Sequence, residues 1–244
     1  MKTIRTADYG EMSRMAAAEM IKRIKSNPGL KLGLATGSTP KGVYRELIND
    51  HQQNGTSYKQ IQTFNLDEYI GIGKKDPNSY HFFMCQQLFD HIDIPLDQTY
   101  IPDGTVENLD AECDRYEKFI KDHGAIDLQL LGLGHNGHIG FNEPGTPFSS
   151  RTHIVELADS TRKANSRFFA SIEEVPTHAI TMGIATIMDS KEIFLVVSGE
   201  AKADALARLI NGPVDEQFPA SALKNHGNVT IFADEAALKY INGA

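Results

Sequence analysis

Apolar positions along this chain switch repeatedly between a strand-like and a helix-like spacing. Short apolar runs at residues 30–35, 61–65, 126–131, 177–182, 193–197 and 229–233 read as buried strands. Residues 8–25 instead place Met12, Met15, Ala16, Met20 and Ile24 at helical spacing and stop at Ser26-Asn27-Pro28-Gly29. Further helices are expected over 41–51, 78–92, 107–122 and 198–210, with a short one after the last strand. The alternation predicts an α/β fold: a doubly wound, mainly parallel sheet with helices on both faces, Rossmann-like, in a single domain over residues 1–244. Residues 149–157 look extended, and 159–169 (DSTRKANSRFF) are polar, basic and only weakly periodic. Such a segment packs poorly, so a mobile lid is expected at about 150–176.

Candidate chemistry gathers where strands end. The run over 126–131 gives way to Gly132, Gly134, Gly137 and Gly140, with His135, Asn136, His138 and Glu143 set among them. Glycines permit turns that other residues resist and let a ligand approach the main chain. After the strand at 30–35 comes Thr36-Gly37-Ser38-Thr39-Pro40. Ser38 or Thr39 is placed to cap the next helix, with Pro40 at its first position. Free N–H groups and hydroxyls there suit an anion, although the pattern matches neither a triphosphate-binding nor a dinucleotide-binding loop. Asp67-Glu68-Tyr69 follows the strand at 61–65. Open α/β sheets bind ligands at the carboxyl ends of their strands, so these three loops are expected to share a cleft. Arg162 and Arg167 in the polar segment are candidate anion-reaching groups. Lys202, in the first turn of its helix, opposes the helix dipole unless an anion sits there. The His135/His138 spacing resembles no zinc motif, and no metal is expected.

Composition narrows the partners. The chain has 244 residues, enough for a substantial core, and a formal charge of −8 from 24 basic and 32 acidic residues. An acidic balance argues against a nucleic-acid surface but allows a small anionic substrate held by a few placed donors. Cys85 and Cys113 stand in no metal or redox spacing and read as reduced thiols. The amino-terminal stretch has no apolar core of a leader peptide, and no segment approaches bilayer-spanning length. A cytoplasmic protein with no membrane partner is the expectation.

The strings ATGSTP (35–40), FNLDEY (64–69), LGLGHNGHIGFNEPG (131–145), SRTH (150–153), ANSRFF (164–169), SGEAK (198–202) and PASALKNH (219–226), in this order, closely resemble the glucosamine-6-phosphate deaminase family. The resemblance covers about residues 30–230. Related 6-phosphogluconolactonases share the fold and the glycine-rich strand end but differ at FNLDEY and GHNGHIGFNEP. The resemblance implies conversion of glucosamine 6-phosphate to fructose 6-phosphate and ammonia, in amino-sugar catabolism, with no cofactor. It also implies that His138, supported by Glu143 and Asn136, opens the sugar ring and that Asp67 moves the proton between C2 and C1. The phosphate is then expected among Thr36, Gly37, Ser38 and Thr39, with Arg167 and Lys202 reaching it. The alternatives are another isomerase or lactonase of the same fold, or a non-catalytic sugar-phosphate sensor. The acidic charge, the absence of a helix-turn-helix segment and the presence of Asp67, His138 and Glu143 weigh against the sensor.

Two departures from the family pattern matter. Some members carry Asp where this chain has Asn136, and an amide orients a histidine without relaying a proton. Allosterically activated members have two basic residues after the S-R-T string and a longer tail, whereas this chain has His153 and Val155 and stops at Ala244. The expectation is a short, non-allosteric type, monomeric or a small homo-oligomer, that N-acetylglucosamine 6-phosphate does not activate.

Overall fold

Strand and helix alternate from the amino terminus in the computed structural model, which describes residues 1–166 and 169–241. β1 (Lys2–Thr6) leads into α1 (Tyr9–Ser26), β2 (Lys31–Leu34) into α2 (Pro40–Asn54), and β3 (Gln62–Asn65) into a short strand, β4 (Asp67–Tyr69). After α3 (Tyr80–Gln87) come β5 (Thr99–Tyr100), α4 (Leu109–Asp122) and β6 (Leu128–Gly132). The second half runs through β7 (His153–Glu156), α5 (Asp159–Asn165), β8 (His178–Thr181) and α6 (Ile184–Met188). It closes with β9 (Glu192–Val197), α7 (Ala203–Asn211) and β10 (Val229–Asp234).

Among the described residues, seven strands form one sheet in the order β1-β10-β9-β6-β2-β3-β5, each neighbouring pair parallel. Their side chains alternate between two cores. Leu131, Ile193, Leu195 and Ile231 pack with Tyr116 and Ile120 of α4 and with Leu206 and Leu209 of α7. Leu128, Leu130, Phe194, Val196 and Phe232 pack on the other face with Met12 and Met20 of α1 and Val43 and Leu47 of α2. Each fully buried aliphatic side chain contributes roughly 1.5–3 kcal/mol. Burial on both faces explains why the central strands read as continuous apolar runs. This is the single, doubly wound domain expected from the alternation.

Topology fixes where a ligand fits. β2 and β6 are neighbours, yet the chain leaves β2 towards β3 and β5 and leaves β6 towards β9 and β10. Their following loops diverge and open a crevice at the carboxyl edge.

Several elements differ from the sequence-based expectations. β8, expected in the parallel sheet, pairs antiparallel with β4 and β7 in a separate three-stranded sheet. A short apolar run reports burial, not which strand it pairs with. Asp67 therefore belongs to a strand, opposite Thr181. The helix expected over 78–92 stops at Gln87 because Leu88 leaves helical geometry (φ −148°, ψ −59°), and a tight turn follows. The stretch after β10 forms turns in place of a terminal helix. β1, an edge strand of half-exposed Lys2–Arg5, had no apolar run to reveal it.

Candidate active site

The first loop is the turn after β2. Gly37 has φ +100°, a conformation open to glycine and strained for other residues. Neither Ser38 nor Thr39 caps α2, contrary to the sequence-based expectation: Thr39 is itself helical and its side chain makes no capping bond. Tyr9 of α1 takes the role, its hydroxyl accepting from the Gly42 N–H at 2.7 Å and donating to the Ser38 carbonyl at 3.1 Å. The hydroxyls of Ser38 and Thr39 thus stay outside the helix's own hydrogen bonding. Thr36 bonds through its side chain to Tyr80. Beside this turn lies a cavity of about 190 Å³, lined by Gly37, Lys41, Tyr69, Tyr80, Asn165 and Phe169 among others.

The second loop carries a hydrogen-bonded chain. The Oδ1 of Asn136 lies 2.8 Å from His138 Nδ1 and accepts from the His138 main-chain N–H at 3.2 Å. The Nδ2 of Asn136 donates to Glu143 Oε2 at 2.6 Å, and Thr161 Oγ1 of α5 donates to Glu143 Oε1 at 2.5 Å. Since an amide oxygen only accepts, Nδ1 carries the histidine proton and Nε2 is the basic nitrogen. Burial lowers the pKa of His138; the Glu143 charge opposes this, and the charges of Lys202 and His135 reinforce it. His138 is thereby neutral near pH 7, the form able to accept a proton. Gly134 makes room for the ring, because a Cβ there would lie 2.4 Å from three of its atoms.

Asp67 supplies the third component. It is 6 % exposed, and its Oδ1 has no hydrogen-bond partner among the described residues. Burial, helped by the neighbouring Glu68 charge, pushes its pKa up to about 8. Glu68 points elsewhere and accepts the Tyr80 and His81 N–H groups, each at 2.9 Å, at the start of α3. The glycine loop passes close to Asp67: a Cβ on Gly140 would stand 3.8 Å from its Oδ2, and Thr181, paired with Asp67, accepts the Phe141 N–H.

Raising a carboxyl's pKa on folding has a definite linkage sign. The fold favours the protonated form, so this stability contribution is fully present below pH 3.8 and is lost as pH rises through about 8. Denaturant unfolding at pH 6 and pH 9 is expected to show a loss on the order of a few kcal/mol that Asp67→Asn removes. An unchanged pH dependence in the variant would assign the loss to other groups.

Lys202 stands at the start of α7, and its charge helps to lower the pKa of His138. Arg167 lies outside the described residues. Arg162 is turned away from an anion-binding role, its Nη2 donating to the carbonyls of Ile172 at 3.1 Å and Val175 at 3.2 Å. His135 bonds the Ala201 carbonyl at 3.0 Å and so fastens the glycine loop to the approach to α7. Sequence reasoning missed Thr161, Tyr69, Tyr80 and Asn165, whose roles come from partners distant in the chain. Another groove of about 620 Å³, lined by Ile70–Ile72 and 173–178 among others, contains none of the candidate site residues.

The family model for glucosamine-6-phosphate isomerases and 6-phosphogluconolactonases matches residues 8–232. A glucosamine-6-phosphate deaminase of Halalkalibacterium halodurans is 58 % identical over 241 residues, spanning 99 % of this chain and 98 % of the relative. A solved monomeric glucosamine-6-phosphate deaminase superposes with a TM-score of 0.97 at 51 % identity, covering 98 % of this chain and 99 % of that one. A 6-phosphogluconolactonase from Trypanosoma cruzi shares the fold, with a TM-score of 0.81 at 20 % identity over 99 % of this chain and 97 % of its own. The match over nearly the whole length means that this chain belongs to the family of glucosamine-6-phosphate isomerases and 6-phosphogluconolactonases.

Proposed function

We propose that this chain converts glucosamine 6-phosphate and water to fructose 6-phosphate and ammonia. The observation that supports the reading is a histidine, oriented through Asn136 and Glu143, on the same glycine loop that passes a buried aspartate whose pKa is pushed up to about 8. The substrate's phosphate rests against Thr36, Gly37, Ser38 and Thr39, with Lys202 and Arg167 as its cationic contacts. Anchoring this remote group holds the reacting carbons in place.

His138 Nε2 takes the proton of the O1 hydroxyl and returns it to the ring oxygen, giving the open-chain aldehyde. Asp67 then removes the C2 proton while O1 takes one from the substrate's ammonium, and an enolamine forms. The protonated Asp67 delivers its proton to C1, leaving an iminium at C2. Water adds there, ammonia departs, and the ketone remains. The substrate's own nitrogen makes the enolamine accessible, so the sequence of steps uses side chains alone. Glu143 supplies charge and Asn136 orientation. The α5 segment acts as a lid that closes over the bound sugar.

The test is a coupled assay. Ammonia and fructose 6-phosphate are expected in equal amounts from glucosamine 6-phosphate, with no ammonia from glucose 6-phosphate. Hydrolysis of a 6-phosphosugar lactone without deamination would transfer the site to the other branch of the family.

No helix among the described residues is long and apolar enough to cross a membrane. We place the enzyme in the cytoplasm, where sugar phosphates are formed, acting as a monomer or small homo-oligomer. Activation by N-acetylglucosamine 6-phosphate is not expected. The two positions after the S-R-T string hold no lysine or arginine: His153 turns its Nδ1 to the Arg151 carbonyl at 2.8 Å, and Val155 packs against an apolar cluster. Allosteric coupling typically changes affinity about 5- to 150-fold. The apparent KM measured with and without this effector is expected to change by less than about twofold, and a fivefold fall would refute the assignment.

A further inference from the structure

Glu143 reaches the reacting histidine through an amide, and an amide has two faces. If Asn136 turned over, its NH2 group would meet His138 Nδ1 and the histidine would have to present the opposite tautomer. The Glu143 carboxylate prevents this by accepting from Nδ2, so the histidine's protonation pattern depends on where that carboxylate points. One oxygen bonded to Asn136 leaves the carboxylate free to rotate. The bond that fixes its plane comes from Thr161, 6 % exposed, on α5.

α5 is also fastened at its other end. Asn165 Nδ2 donates to the Tyr69 hydroxyl at 2.9 Å, Tyr80 lies 3.2 Å from the same oxygen, and Tyr80 bonds Thr36 beside the anion-binding turn. Arg162, between the two contacts, ties the helix to its own following backbone at Ile172 and Val175. The helix is therefore tied at both ends, with Thr161 on the acid chain and Asn165 linked to the phosphate turn. The cavity of about 190 Å³ under Asn165 and Phe169 leaves space beneath that end of the helix.

We propose that Thr161 is a positioning residue through which α5 aligns Glu143, so that the Glu143–Asn136–His138 chain is complete only when this helix lies over the site. The inference rests on the proposed ring-opening role of His138. It makes substrate enclosure a condition for proton transfer: an open helix leaves Glu143 unaligned and the histidine unprepared.

The test compares Thr161→Val, which keeps the shape and removes the donor, with Thr161→Ser, which keeps the donor. A hydrogen bond to a charged group converts to about a ten- to hundredfold effect on rate. Thr161→Val is expected to lose that factor in kcat for ammonia release while KM stays within about threefold, and Thr161→Ser is expected to recover most of it. In a Glu143→Ala background, adding Thr161→Val is expected to change kcat by less than about twofold, since the partner is gone. Thr161→Ala provides a second donorless variant should the valine side chain disturb folding, as judged by circular dichroism. Full activity in Thr161→Val, an equal loss in the serine variant, a loss confined to KM, or an undiminished effect in the Glu143→Ala background overturns the proposal. Absence of ammonia release by the unsubstituted protein would instead overturn the proposed function.

Discussion

Asp67→Asn is expected to lower kcat for ammonia release by about a thousandfold or more while KM changes by less than about threefold. Asn matches Asp in size, and the site already holds this side chain protonated near neutral pH, so the fold loses little. In the proposed mechanism, function loses the group that carries a proton between C2 and C1. A base with a pKa of about 8 combines adequate ionisation with real proton affinity, and burial together with the Glu68 charge produces that value. Turnover in deuterium oxide gives a second readout. The unsubstituted enzyme is expected to place solvent deuterium at C1 of fructose 6-phosphate wherever the Asp67 proton exchanges before delivery. A variant turning over within tenfold of the original would remove Asp67 from the role of base.

His138→Gln has the next largest expected effect, and it depends on direction. Starting from cyclic glucosamine 6-phosphate, a fall of about a hundredfold or more in kcat is expected, because general acid–base transfer contributes roughly that much. Starting from fructose 6-phosphate and ammonia, a fall of less than about tenfold is expected. The open-chain ketose enters after the step proposed for His138, and the open-chain aminosugar released closes its ring in water unaided. The two directions do not share an enzyme-bound cyclic species in this variant, so the asymmetry breaks no equilibrium constraint. Initial rates in both directions check it. Equal losses would place His138 in the C2–C1 proton transfer or in binding, and not in ring opening.

How legible these residues were depends on how local their partners are. The His138 loop stood out because an apolar run ended in repeated glycines, each a consequence of nearby geometry: Gly134 admits the histidine ring, and Gly140 lets the loop pass Asp67. The doubly wound fold was legible for the same reason, since burial on both faces of a strand leaves an unbroken apolar run. The strand character of Asp67 was hidden, because three residues carry no period and β4 is held by β8, more than a hundred positions away. Capping of α2 by Tyr9 was hidden too. Ser38 and Thr39 matched the local rule, but a tyrosine from the preceding helix reached the Gly42 N–H. Arg162 looked like an anion ligand by composition alone, and its carbonyl partners turn it to structural use. Thr161 gave no signal, since a single threonine in a weakly periodic helix has many uses and its partner lies in another loop.

The same placement gives activity a pH dependence opposite to stability. Ionisation of Asp67 costs the free fold stability as pH rises through about 8, yet it creates the base that the reaction needs. Neutral His138 points the same way, because its lowered pKa leaves Nε2 able to accept a proton before Asp67 ionises.

The most direct measurement is a crystal structure with an open-chain amino-alditol 6-phosphate, which resembles the ring-opened substrate and cannot react. The phosphate is expected on residues 36–39 with Lys202 near it, the Asp67 carboxylate about 3–3.5 Å from the C1–C2 edge, and His138 Nε2 facing the oxygens on C1 and C5. A ligand bound with Asp67 and His138 on separate surfaces, or with its phosphate away from that turn, would contradict it.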